Sequence, residues 1–308
     1  MIMEYTKFKE WLLLKRYSPA SATTTIRVTE YFRTWAENEG ITELEEISYQ
    51  DAMMFMQWSS KHGASQKTVA NYLNHIRKFY SFLISEGAVK ENPVAHIKVQ
   101  GIKRKVYYDC LSDEELKELY HNYPTTIEQQ EGKNIPPQQK NILSRKRNKV
   151  IVSLLVHQGL RVEEVATLRL QDLQLREGKI TIHQQRRTAS RIMSLAPHQV
   201  YELMDYVHEV RKEFLKEVGA TDKLFIQWNN GENFYGITQG ILKTLRTINS
   251  RIKNLDQIRA SVITAWLRIF DLRKVQYLAG HKYVSSTEAY KANVIDELQE
   301  DIRKFHPL

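Results

Sequence analysis

Apolar residues recur at helical spacing through most of this 308-residue chain, and one short stretch breaks that rhythm. Lys179-Ile180-Thr181-Ile182-His183 alternates with the two-residue period of a strand. Arg191 to Leu195 is placed to return beside it as a partner. The pattern restricts the fold to a mainly α (α+β) chain with a small antiparallel β-sheet in its C-terminal part.

The first hundred residues read as short helices divided by turns. Ser65 stands as an N-cap before Val69, Tyr72, Leu73, Ile76, Phe79, Tyr80 and Leu83, which share one helical face. Gly87 ends that helix and Asn92-Pro93 prevents its resumption. An earlier helix covers about Ala22 to Glu39 and stops at Gly40; another starts after Ser48 and carries Ala52, Phe55, Met56 and Trp58. These Met-rich and aromatic faces are core. Beyond Pro93 the chain turns polar and basic through Lys98, Lys103, Arg104 and Lys105, as an exposed linker does. Ser112 and Glu115 then have capping-box spacing at the start of a new helix. The expected organisation is a helical domain over 1–97, a basic linker over 98–110 and a mixed domain over 111–308.

Residues 122–142, rich in Pro, Gln, Asn and Thr, read as a long loop. Arg145, Lys146, Arg147 and Lys149 follow, and an apolar helix runs on to Gln158. Such a basic run is a solvated face or, beside a DNA channel, a set of phosphate contacts. Lys98, Lys103, Arg104, Lys105, Arg145, Lys146, Arg147 and Arg187 are the candidate DNA-binding residues on this basis.

The formal net charge of +9, with a pI near 9.3, favours a polyanionic partner, nucleic acid or an anionic membrane surface. A single cysteine, Cys110, excludes an internal disulfide framework and fits a reducing compartment. No apolar run approaches the roughly 18 residues of a membrane span. Met1-Ile2-Met3-Glu4-Tyr5 lacks a charged-then-apolar signal pattern. The expected location is cytoplasmic, with no membrane partner.

Chemistry enters with four residues in a fixed order: Arg161, Arg259, His281 and Tyr290. A phosphodiester resists attack because negative charge builds on its non-bridging oxygens. Guanidinium groups answer that charge with two parallel hydrogen bonds and a permanent cation. Histidine can donate to the developing charge, and a phenol can attack phosphorus to store the bond energy as phosphotyrosine. No ATP or metal is then needed, and no cofactor is expected. Singly, each residue has a plainer role: Glu163 and Glu164 are ready ion-pair partners for Arg161, His281 can cap a turn, and Tyr290 is one of sixteen tyrosines.

Taken together, the motifs resemble those of the tyrosine recombinases, or phage-type integrases. Gly159-Leu160-Arg161-Val162-Glu163-Glu164-Val165 is similar to the family's first arginine motif. Asp271-Leu272-Arg273-Lys274-Val275-Gln276-Tyr277-Leu278-Ala279-Gly280-His281 resembles its Leu-Gly-His segment, and Thr287-Glu288-Ala289-Tyr290 its nucleophile segment. The N-terminal helices resemble the family's core-binding domain. The resemblance implies a clamp around double-stranded DNA, specific recombination sites and a homotetramer on DNA; it leaves a monomer in solution open. It implies that Tyr290 is the nucleophile and that Arg161, Arg259 and His281 are catalytic.

Two positions depart from the family pattern. Asp256 stands where the family has histidine, and it can orient Arg259 or act as a base toward Tyr290. The turn between the two strands, Gln184-Gln185-Arg186-Arg187, lacks the family's general-acid lysine; Arg186 is the nearest positional match. Arginine holds its proton too tightly to be a good donor, though it stabilises charge. Two alternatives stay open: a DNA-binding regulator or accessory factor on the same scaffold, and a type IB topoisomerase-like enzyme. A last amphipathic stretch, Ile295, Leu298, Ile302 and Phe305, packs on its own domain or, as the resemblance implies, docks onto a neighbouring protomer.

Overall fold

The computed structural model describes residues 2–101, 109–126, 138–228, 234–291 and 293. The chain divides into two compact units, Met1–Arg104 and Lys105–Leu308. As the periodicity implies, it is mostly helical with one small antiparallel sheet.

The first unit contains α1 (Ile2–Leu14), α2 (Pro19–Asn38), α3 (Tyr49–Lys61) and α4 (Gln66–Ser85). Each of the last three starts on a serine whose hydroxyl accepts an otherwise unpaired amide: Ser18, Ser48 and Ser65. Ser48 and Asp51 complete a reciprocal capping box. Phe8, Phe32, Trp35, Phe55, Phe79 and Tyr80 are buried together as an aromatic core. The tyrosine's one polar atom is satisfied by donating to the Leu44 carbonyl at 2.7 Å.

The second unit is built around α6 (Gln138–Gln158). This helix packs against α5 (Asp113–His121) and α11 (Leu255–Ile269), and its Val150, Ile151, Leu154 and Leu155 lie in the core. Between them run α7 (Val162–Thr167), β1 (Leu173–Gln174), β2 (Lys179–Ile182), β3 (Arg191–Ser194), α8 (Pro197–Asp205), α9 (Arg211–Val218) and α10 (Tyr235–Ile248). After α11 come α12 (Leu272–Ala279) and α13 (Val284–Glu288). The strands pair antiparallel in the order β1-β2-β3, with Ile180 opposite Met193 and Ile182 opposite Arg191.

Two expectations need correction. Helix α6 begins at Gln138, so the last five residues of the expected loop over 122–142 are helical. The helix also carries the whole basic run, and its turns point those side chains in different directions. Arg147 faces inward at 4% exposure, donates from Nη1 to the Ile226 carbonyl at 2.7 Å and lies over the Phe214 ring. It is a core residue and not a phosphate contact. Arg145 is half-buried and bonded to the Thr126 carbonyl, whereas Lys146, Lys98 and Arg187 are exposed. Lys103, Arg104 and Lys105 lie outside the described residues, as do Ile295, Leu298, Ile302 and Phe305. Among the described residues no helix is long and apolar enough to cross a membrane.

Candidate active site

Helix α6 ends at Gln158, and Gly159 turns the chain with a φ of +55°. A side chain there would press on Val262 and Trp266 of α11. Glycine therefore lets the chain pass close to α11, and two residues later Arg161 caps α7. The Arg161 amide donates to the Glu164 carboxylate at 2.9 Å, which fixes the backbone from which its guanidinium projects.

Arg259 lies in the second turn of α11, started by Asn254, whose side chain accepts the Gln257 amide at 2.9 Å. It is 3% exposed. Its terminal nitrogens donate to the Gly159 carbonyl and, at 2.6 Å, to the Ala279 carbonyl. One guanidinium thus ties the arginine turn before α7 to the end of α12. Burial lowers its pKa to about 10, helped by the nearby charge of Arg161 and opposed by Glu164 and Tyr290. The Nε atoms of Arg161 and Arg259 are both buried and lack a hydrogen-bond partner. They are the two arginines of the second unit in that state, among the described residues. An unmade buried bond costs about 1–3 kcal/mol, a cost carried here by both arginines.

Gly280 ends α12 with a φ of +66°. A Cβ there would come within 2.9 Å of the Arg191 Cζ. The missing side chain makes room for Arg191, which donates from Nε to the Leu278 carbonyl and from both terminal nitrogens to Glu164, at 2.7 and 3.1 Å. Arg191 and Glu164 are buried at 3% and 1% exposure. Burial works against a charged Glu164, but Arg191, the Arg161 amide and the charge of Arg259 together hold its pKa below the usual carboxylate value. Two guanidinium groups, those of Arg191 and Arg259, thus share one carboxylate, and the site keeps an excess of positive charge.

His281 follows directly and is 5% exposed. Burial first, and then Arg259, Arg161 and Arg191, lower its pKa to about 4, so the ring is neutral near pH 7. Its Nδ1 lies 2.9 Å from the Thr287 hydroxyl, and its Nε2 lies 3.4 Å from Arg259 Nη2. A guanidinium only donates, which assigns the proton to Nδ1 and the open lone pair to Nε2. In this state His281 accepts at Nε2, and the donation expected of it requires a change of tautomer or charge. Tyr290, past α13, lies parallel to the imidazole at 5.8 Å between centroids. It also packs against Ile263, Val275 and Ala279. Arg161, Arg259, His281 and Tyr290 are therefore brought together from three separated segments.

The two departing positions do not join them in the same way. Asp256 is exposed in the first turn of α11, where its charge suits the helix start. The groups that orient Arg259 are Gly159, Ala279 and Glu164, not Asp256. Arg186 is exposed in the connection between β2 and β3. The sequence reading missed the Arg191–Glu164 pair. Strand alternation was its one available signal, because it sets Arg191 on the same face as buried Met193.

Residues 113–295 match the phage integrase family, and residues 6–87 match the phage integrase N-terminal SAM-like domain. The chain is 27% identical to tyrosine recombinase XerD of Oceanobacillus iheyensis over 91% of this chain and 89% of the relative. In fold it is similar to the XerH site-specific recombinase bound to palindromic difH substrate in a post-cleavage complex, with a TM-score of 0.69 and 17% identity over 94% of this chain and 81% of that one. It is also similar to a lambda integrase tetramer bound to a Holliday junction, with a TM-score of 0.62 and 11% identity over 94% of this chain and 76% of that one. The integrase match spans more than half of the sequence and contains all four converging residues, and the chain belongs to the phage integrase family of tyrosine recombinases.

Proposed function

We propose that this protein is a site-specific DNA recombinase that cuts and rejoins DNA through a 3′-phosphotyrosine. The hydroxyl of Tyr290 attacks the scissile phosphorus, the bond to the 5′ oxygen breaks, and a free 5′ hydroxyl is left. Arg161 and Arg259 hold the non-bridging oxygens, where permanent cations favour the transition state most. His281, neutral with its Nε2 turned to Arg259, stacks beside the phenol ring and positions it. The single observation that carries this reading is the convergence of Arg161, Arg259 and His281 beside Tyr290. A phosphate is the anion that paired guanidinium charges suit.

DNA with specific recombination sites, a tetrameric assembly and a cytoplasmic location without metal or nucleotide cofactors belong to the same proposal. The solved relatives support the first two: one is bound to a difH substrate and another is a tetramer on a Holliday junction. Exposed Lys98, Lys146 and Arg187 are phosphate contacts in this scheme. The test uses a nicked duplex drawn from a random-sequence library by binding to the full chain. Incubation gives an SDS-resistant protein–DNA band; binding without that band favours a DNA-binding regulator.

A further inference from the structure

The connection between β2 and β3, His183-Gln184-Gln185-Arg186-Arg187-Thr188-Ala189-Ser190, contains no lysine. The folded chain nevertheless brings one to it. Gln185 holds one side of the connection to α7, donating to the Glu163 carbonyl and the Thr167 hydroxyl at 3.0 and 2.8 Å. The other side is joined to the turn after α12. Thr188 and His281 form a β-bridge, and the Ala189 amide donates to the Gly280 carbonyl at 2.9 Å. Lys282 extends from that turn, and its Nζ donates to the Arg186 carbonyl at 3.1 Å. The amine therefore rests on the connection that lies between the Arg161 helix and the His281 turn. No other lysine among the described residues is bonded to it.

We infer that Lys282, supplied by the turn after α12, is the general acid that protonates the leaving 5′ oxygen. The inference rests on the recombinase reading. Arg186 is the weaker candidate, because a guanidinium holds its proton more tightly than a lysine ammonium does. The Lys282 side chain is exposed and held by one hydrogen bond to a carbonyl, so it can exchange that acceptor for a substrate oxygen. In the forward step the bond from Tyr290 Oη to phosphorus forms as the bond from phosphorus to O5′ breaks. The phenol proton passes to solvent water, and one proton passes from Lys282 Nζ to O5′. In rejoining, the neutral amine takes the proton back from the attacking 5′ hydroxyl.

The test compares two versions of the selected nicked duplex, one with the natural 5′ oxygen and one with sulfur at that bridging position. A thiolate, whose conjugate acid has a pKa near 8.5, leaves without help from an acid. K282A is expected to slow cleavage of the oxygen substrate by about 10²–10⁴-fold and to cleave the sulfur substrate at close to the wild-type rate. K291A, which alters the exposed lysine beside Tyr290, and R186A are expected to change both substrates by the same factor. Equal loss on both substrates in K282A, or wild-type cleavage of the oxygen substrate, overturns the inference. So does sulfur rescue of R186A in place of K282A. If the wild-type protein forms no adduct with either substrate, the recombinase reading itself fails and this inference with it. Binding of K282A to the selected duplex with wild-type affinity establishes that the variant is folded.

Discussion

The imidazole of His281 and the phenol ring of Tyr290 lie 5.8 Å apart and within 11° of parallel. A stack of this kind positions the tyrosine without using its hydroxyl. It joins the two ends of the short segment that carries α13. At its Nε2 edge His281 meets Arg259 Nη2 at 3.4 Å, so one ring contacts both a buried cation and the phenol ring. This arrangement keeps the imidazole neutral, and that has a consequence for stability.

His281 has its pKa lowered to about 4 by burial and by Arg259, Arg161 and Arg191; His157 is lowered to about 4 by burial and by His198 and His121. Unfolded, both return to about 6.5. Between those values the unfolded chain binds protons that the folded chain does not, so stability falls as pH drops. It is complete above the unfolded value and declines through the window down to the folded one. The urea midpoint of the full chain is expected to fall between about pH 7 and about pH 5, and the double variant H157Q/H281Q to show a shallower fall. A midpoint independent of pH contradicts the buried neutral state.

Glu164 is the one carboxylate shared by Arg191 and Arg259, at 2.7 and 3.7 Å. Glu164→Gln leaves both cations uncompensated in a site that water barely reaches. Breaking a buried pair in this way costs about 3–5 kcal/mol. Thermal or urea unfolding is expected to show that loss, together with loss of cleavage. A change under about 1 kcal/mol shows that solvent reaches the pair.

Neighbouring members of the basic run on α6 are expected to separate stability from DNA binding. Arg147→Met removes bonds to the Ile226 carbonyl and the Asn148 side chain inside the core, and lowers stability. Lys146→Ala removes an exposed charge. It is expected to leave stability within about 0.5 kcal/mol and to reduce the salt slope of DNA binding by about 0.9. The reverse pattern contradicts the burial of Arg147.

Much of this architecture was legible in the residues. Ser48, Ser65 and Ser112 cap the expected helices, and the two strands pair where their alternation placed them. What escaped has physical causes. Strand β1 is two residues long and shows no period. The start of α6, Gln138-Gln139-Lys140-Asn141, is polar, and its helix is supported by tertiary contacts such as Lys140 with Glu217 at 2.7 Å. Arg147, Arg191 and Glu164 were hidden because charged side chains are rarely buried, and burial depends on partners far away in sequence. The convergence of Arg161 with Arg259 was suggested by resemblance, but its means, a guanidinium bonded to the Gly159 and Ala279 carbonyls, is visible only in the fold.

The most direct test is to digest the SDS-resistant adduct with protease and locate the nucleotide by peptide mass. The expected result is a 3′-phosphonucleotide on Tyr290, and no adduct in Tyr290→Phe although that variant still binds the same duplex. A nucleotide on any other residue, or an adduct that survives in Tyr290→Phe, contradicts the account.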